Sequence, residues 1–225
     1  MPVFQLSEVL CFPPPTLARP DGLLAVGGDL AAPRLLLAYQ QGIFPWYGEG
    51  DPILWWSPDP RLVLFPSEFR CSRRLARTIR QGRFMVTMDK AFARVMALCG
   101  QSRASRGEAT WIDAAMLAAY CELHELGHAH SVEAWLDGEL VGGLYGVAIG
   151  RAFFGESMFS LVADSSKVAL AALVERLAAW GFALIDCQVA TGHLQRLGAR
   201  EIGREEFLAR LDDACKEPGR PGRWG

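Results

Sequence analysis

His130-Ser-Val-Glu-Ala-Trp-Leu136, Asp137-Gly138 and Glu139-Leu-Val-Gly-Gly-Leu-Tyr-Gly-Val-Ala-Ile149 make up the stretch that decides the fold. Two runs rich in β-branched and aromatic residues flank an Asp-Gly pair. That pair takes positive φ cheaply, so the chain is predicted to double back as a tight antiparallel hairpin. A third run, Ala152 to Phe159, follows Gly150-Arg151 and extends the hairpin into a meander.

Outward from this meander the periodicity changes. Towards the C-terminus we read a helix from about Asp164 to Trp180, a buried strand Ala183-Leu-Ile-Asp-Cys187 and two short helices. Towards the N-terminus lie helices near 90–99 and 112–126, a strand from Arg83 to Met88 and a helix near Ser72 to Gln81. Residues 1 to about 60 carry dense Pro, Gly and Trp punctuation, including Phe12-Pro-Pro-Pro15 and Gly42-Ile-Phe-Pro-Trp46. Such a segment reads as turns and short elements around one helix, Ala32 to Gln41. The predicted class is α+β (mixed α/β), with a small N-terminal domain at 1–61, a main domain with a mainly antiparallel sheet at 62–215, and a flexible tail at 216–225.

A chain of 225 residues that is 51% hydrophobic can bury a sizeable core, which argues against disorder. Its formal net charge of -2 gives no global basic character, so any contact with nucleic acid must be a local patch. Six cysteines are scattered without a C-x-x-C pair, as expected in a reducing compartment. The first residues lack a secretory pattern and no apolar run could span a bilayer, so a cytoplasmic location is expected.

His124-Glu-Leu-Gly-His128 matches H-E-x-x-H, which on one helix would place two imidazoles on zinc. Gly127, however, is where a helix should stop, so His128 should leave the helical face, and no third ligand follows at the usual spacing. No metal is therefore expected. Gly142-Gly143, Gly146 and Gly150 form no nucleotide-binding loop, and Gln195-Arg-Leu-Gly-Ala-Arg200 is a poor match to an acetyl-CoA pyrophosphate loop. We expect no cofactor.

Arg70, Arg73, Arg74, Arg77, Arg80 and Arg83 crowd one short segment, with 73, 77 and 80 on one helical face. Phosphate binding is their natural use, against the plainer reading of a solvated face. Trp46, Trp55, Trp56 and Trp111 stand in loop-like contexts where an indole can stack on a base, although a core role is the commoner fate of a tryptophan. Asp186 interrupts an apolar strand, and alternation would set it on one face with Leu184 and Gln188. Desolvation would raise its pKa towards neutrality and suit a general base, with the Gln188 amide orienting it or holding a carbonyl, against the plainer reading of a buried carboxylate satisfied by backbone amides. Glu156, in Phe153-Phe-Gly-Glu-Ser-Met-Phe159, is a second acid among aromatics and would attract a cationic group.

Long blocks of the chain resemble the bacterial leucyl/phenylalanyl-tRNA-protein transferases. The specific ones are Asp21-Gly-Leu-Leu-Ala-Val-Gly-Gly-Asp-Leu30, Gly42 to Trp46, Ile53-Leu-Trp-Trp-Ser-Pro-Asp-Pro-Arg61, His128 to Trp135, Leu140 to Gly146, Gly155 to Ser160 and Leu184 to Gln188. The resemblance implies a GCN5-related N-acetyltransferase fold that uses aminoacyl-tRNA in place of acetyl-CoA. It implies transfer of Leu, Phe and less readily Met to proteins beginning with Arg or Lys, which marks them for N-end rule degradation. By the same resemblance Trp46 and Trp111 would hold the 3′ adenosine, and Leu144, Phe153, Leu173, Leu177 and Ile185 would line the aminoacyl pocket. Glu156 would face the incoming protein terminus, Asp186 and Gln188 would flank the reacting ester, and Arg73, Arg77 and Arg80 would meet tRNA phosphates. The alternative from another class is a non-catalytic module that captures aminoacyl-tRNA ends.

Overall fold

The computed structural model describes residues 3–48, 50–104, 107 and 110–225. The N-terminal segment folds more regularly than its punctuation suggests. Strands β1 (Phe4–Leu6), β2 (Leu23–Gly27), β3 (Phe44–Pro45) and β4 (Leu54–Trp56) form a four-stranded sheet in the order β1-β2-β4-β3. Helix α1 (Ala32–Gln40) lies between β2 and β3, with Pro33 in its first turn. Strands of two to five residues carry too little periodicity to be seen in sequence, and only their pairing makes them regular.

β5 (Arg61–Leu64) enters a second, seven-stranded sheet. After it come α2 (Arg73–Arg80), β6 (Met85–Met88), α3 (Phe92–Ala104) and α4 (Ala114–Glu125). The meander follows as β7 (Ala129–Leu136), β8 (Glu139–Ile149) and β9 (Ala152–Ser160), with Asp137 and Gly138 both at positive φ in the first turn. The chain ends in α5 (Ser165–Ala179), β10 (Leu184–Gln188), α6 (Gly192–Arg196), β11 (Arg200–Ile202) and α7 (Arg204–Lys216). Sheet order is β11-β5-β10-β9-β8-β7-β6, antiparallel throughout except where β10 runs parallel to β9. This is the α+β class with the mainly antiparallel sheet that the sequence predicts.

Central strands are buried on both faces, which explains their unbroken apolar runs. Leu62, Leu64, Phe153 and Ile185 share one apolar cluster with Leu75 of α2 and with Val168, Leu173 and Leu177 of α5. Val63, Phe154 and Leu184 point the other way, into a cluster with residues of α1, α3, α4, α7 and the four-stranded sheet.

The C-terminal tail departs from expectation. Its composition predicts a loose end, but Trp224 is 8% exposed and its indole stacks on His130, with ring centroids 3.6 Å apart. Residues 217–223 and 225 are exposed, but the segment is held as a strap by Trp224, the one large aromatic it carries, which finds an apolar seat.

Candidate active site

A cavity of about 580 Å³ opens between β9, β10, α5 and the Trp-rich loops. Leu144, Phe153, Leu173 and Ile185 supply buried apolar wall, while Trp46, Ser160, Val189 and Thr191 form the exposed part of the lining. Four of the five residues expected to form an aminoacyl pocket thus meet there. Leu177 does not line the cavity; one helical turn beyond Leu173, it is fully buried in the packing behind it. Gly146 makes the wall possible, because a Cβ there would sit 2.6 Å from the Phe153 ring.

Trp46 and Trp111 both line the cavity, with ring centroids 6.0 Å apart in an edge-to-face arrangement. Trp46 is 41% exposed, so part of its indole is open to a ligand. Trp56 donates its Nε1–H to the Trp46 carbonyl at 2.6 Å and fixes that loop. Arg103 lies over Trp111, 4.1 Å from the ring centroid.

The two acidic residues are placed differently, and Asp186 is not where the sequence reading puts it. Asp186 is fully buried, does not line the cavity, and meets Arg61 in a bidentate pair: Nε to Oδ1 at 2.8 Å and Nη2 to Oδ2 at 2.6 Å. Arg61 is itself held between the Phe44 and Phe207 rings and donates to the Gly42 carbonyl at 3.1 Å. The sequence suggests Asp186 as a general base, and the resemblance sets it beside the ester; the Arg61 guanidinium occupies both its oxygens instead. Strict alternation also fails, because a bulge falls between Asp186 and Gln188, and Gln188 sits at φ 56. Asp186 Oδ1 accepts the Gln188 main-chain N–H at 2.9 Å and stabilises that left-handed residue. The bulge aims the Gln188 side chain at the cavity, where its Nε2 donates to Glu156 Oε1 at 3.1 Å.

Glu156 is the acid that lines the cavity. Burial pushes its pKa up to about 7 against the lowering effect of the Tyr39 hydroxyl; Asp186 raises it further, while Arg61 and the Tyr120 hydroxyl pull it down. Tyr39 and Tyr120 hydrogen-bond to each other, and the Tyr120 hydroxyl lies 3.5 Å from Glu156 Oε2. Both phenols are raised well above their ordinary range, mainly by burial. A connected line therefore runs from Arg61 through Asp186 and Gln188 to Glu156 and the tyrosines. Nothing in the sequence singles out Arg61, Tyr39 or Tyr120, because their partners lie far away along the chain.

Arg73, Arg77 and Arg80 are exposed on α2, while Arg74 pairs with Asp164 at 3.1 Å. The H-E-x-x-H segment ends its helix as expected: α4 stops at Glu125 and Gly127 takes φ 80. His124 Nδ1 lies 2.8 Å from the Ala129 carbonyl and its ring stacks on Phe92. The six cysteines are free thiols, and among the described residues no helix is long and apolar enough to cross a membrane.

An apolar cavity with an acid, an amide and two indoles on its lining has the shape and chemistry to hold a ligand that carries an apolar side chain. Residues 63–212 match the family described as leucyl/phenylalanyl-tRNA protein transferase, and residues 28–59 match its N-terminal domain. The leucyl/phenylalanyl-tRNA–protein transferase of Syntrophobacter fumaroxidans is 62% identical over 96% of this chain and 93% of its own length. That of Desulfatibacillum aliphaticivorans is 59% identical over 100% of this chain and 96% of its own. The chain belongs to the leucyl/phenylalanyl-tRNA–protein transferase family, a family of aminoacyltransferases. Solved structures give slighter likenesses. A GCN5-related N-acetyltransferase from Kribbella flavida has a TM-score of 0.38 at 12% identity, covering 74% of this chain and 59% of that one. The C-terminal domain of a putative lysylphosphatidylglycerol synthetase from Agrobacterium fabrum has a TM-score of 0.39 at 12% identity, covering 88% and 66%.

Proposed function

We propose that the protein moves Leu or Phe, and less readily Met, from aminoacyl-tRNA to the N-terminal amine of proteins that begin with Arg or Lys, marking them in the cytoplasm for N-end rule degradation. The observation that carries this reading is the apolar cavity with Glu156 and Gln188 on its lining. Leu144, Phe153, Leu173 and Ile185 accept an aliphatic or aromatic side chain, whereas a polar one would lose hydration without replacement. The 3′ adenosine stacks at Trp46 and Trp111, and Arg73, Arg77 and Arg80 neutralise tRNA phosphates.

The ester is already activated, so the enzyme has to place an amine and manage its proton. An N-terminal amine of pKa about 7.7–8 arrives largely as ammonium. Glu156, pushed up to about 7, lies within roughly one unit of it and accepts a proton at little cost. The freed amine attacks the ester carbonyl, a C–N bond forms, the C–O bond to the ribose breaks, and the leaving 3′ oxygen takes the second proton that the attacking nitrogen sheds as it becomes an amide. Gln188 orients Glu156. Asp186 acts through Gln188 as a positioning residue, itself fixed by Arg61.

The test is transfer of radiolabelled leucine from Leu-tRNA to a peptide beginning with Arg, beside the same peptide N-acetylated. Label on the free-amine peptide alone is expected. No label while Leu-tRNA still binds would replace this reading with capture without catalysis.

A further inference from the structure

The strap at residues 217–225 lies against two turns and an aromatic nest, and each contact is specific. Gly222 N–H donates to the Gly127 carbonyl at 3.3 Å, and a Cβ on Gly127 would fall 2.5 Å from Gly222 N, so the turn that ends the H-E-x-x-H helix must be glycine for the strap to pass. Arg223 reaches Glu125 of the same motif at 3.1 and 3.2 Å. The Trp224 main-chain N–H donates to Asp89 Oδ2 at 2.8 Å, and its Nε1–H donates to the Arg220 carbonyl at 3.0 Å. Motif residues that suggest zinc in the sequence are thus used to seat a tryptophan.

What that tryptophan supports is the cavity wall. Its indole lies face to face with His130 at an interplanar angle of 7°, with Trp180 and Phe182 at its edges. It also meets Phe153 at a centroid distance of 5.8 Å. Phe153 is fully buried, lines the cavity, and belongs with Trp224, Leu144, Leu173 and Ile185 to one apolar cluster. Close-packed interiors transmit a change in volume to their neighbours, so the position of the Phe153 ring depends on the indole beside it.

We propose that Trp224 is a specificity-determining positioning residue: by buttressing Phe153 it sets the depth of the aminoacyl pocket and hence the preference between Leu and Phe. This rests on the reading that the cavity takes the aminoacyl side chain. With the indole gone, Phe153 can retreat and the pocket deepens, which favours the larger substrate. A change of this size in an apolar pocket is worth roughly tenfold in discrimination.

The experiment compares kcat/KM for Leu-tRNA and Phe-tRNA, with an Arg-initiated peptide, in wild type, Trp224→Phe, Trp224→Leu and Trp224→Ala, each assayed well below its own Tm. The Phe-to-Leu ratio is expected to rise in that order, reaching about tenfold in Trp224→Ala. A purely structural role would lower Tm and both rates together; a ratio unchanged in the folded variants overturns the proposal. Should Trp224→Ala not fold, Trp224→Phe decides by itself, through a smaller rise or none. Should the wild type transfer neither amino acid, the functional reading fails separately. The strap is then judged by whether the same variants alter competition between Leu-tRNA and Phe-tRNA for binding.

Discussion

Replacing Glu156 with Gln tests the centre of the site without removing its hydrogen-bonding shape. The carboxyl is raised from 4.5 to about 7, chiefly by burial. Because the folded-state value lies above the unfolded one, the favourable contribution of the protonated acid is complete below pH 4.5 and is lost as pH rises through about 7. At about 1.36 kcal/mol per pKa unit the full effect is about 3.4 kcal/mol, a ceiling because the side chain is partly open to water in the cavity. Glu156→Gln should therefore gain roughly 2–3 kcal/mol relative to wild type between about pH 4.5 and pH 8, or about 5–10 °C in Tm for a chain of this length. Denaturation of both proteins at the two pH values measures this. Equal differences at both would refute the assignment of burial as the cause. The same variant should lose about 10²–10⁴ in kcat/KM and the acid limb near pH 7 that wild type should show.

Arg61→Met should destabilise the fold by about 3–5 kcal/mol because it leaves Asp186 charged and alone, and Arg61→Met with Asp186→Leu should regain most of that in urea melts. Transfer should stay low in the double variant, since Gln188 still lacks its acceptor. Arg73, Arg77 and Arg80 changed together to Ala should weaken tRNA binding and flatten the log–log salt dependence by up to about 0.9 for each phosphate no longer neutralised; equal slopes would remove the patch from the interface. Acid should weaken the strap. Burial holds His130 below its ordinary 6.5, outweighing the pull of Asp89. Burial opposes an ionised Asp89, but hydrogen bonds from His130, Trp224 and Ser131 outweigh it and hold the acid below 3.8. Stabilisation from His130 is thus present above pH 6.5 and fades as pH falls, so His130→Gln should lose less Tm than wild type from about pH 7.5 to 5. The paired comparison cancels Glu156, which runs the opposite way.

The meander is legible in the sequence because its signals are local: alternating β-branched and aromatic runs, with Asp137-Gly138 between two of them, need no distant partner to be read. α5 and the stop of α4 at Gly127 are legible for the same reason, by helical period and by a residue suited to positive φ. The apolar run around Asp186 also marks it as a special position. What that carboxylate does is hidden, because Arg61 lies 125 residues away in sequence and only the pairing of β5 with β10 brings the two together. The bulge that turns Gln188 into the cavity depends on the same pairing, as does the division of roles in which Glu156 meets the cavity while Asp186 stands behind it. Trp224 shows the contrast most clearly. By sequence it ends a run of Pro, Gly and Arg with every mark of a solvated tail. Its seat is assembled from β7, β9 and the turn after α5, a surface that exists only once the sheet has closed. Local propensity and periodicity thus determined the long elements, and whole blocks of sequence the family; burial and pairing between distant segments decided which acid meets the cavity and what holds its wall.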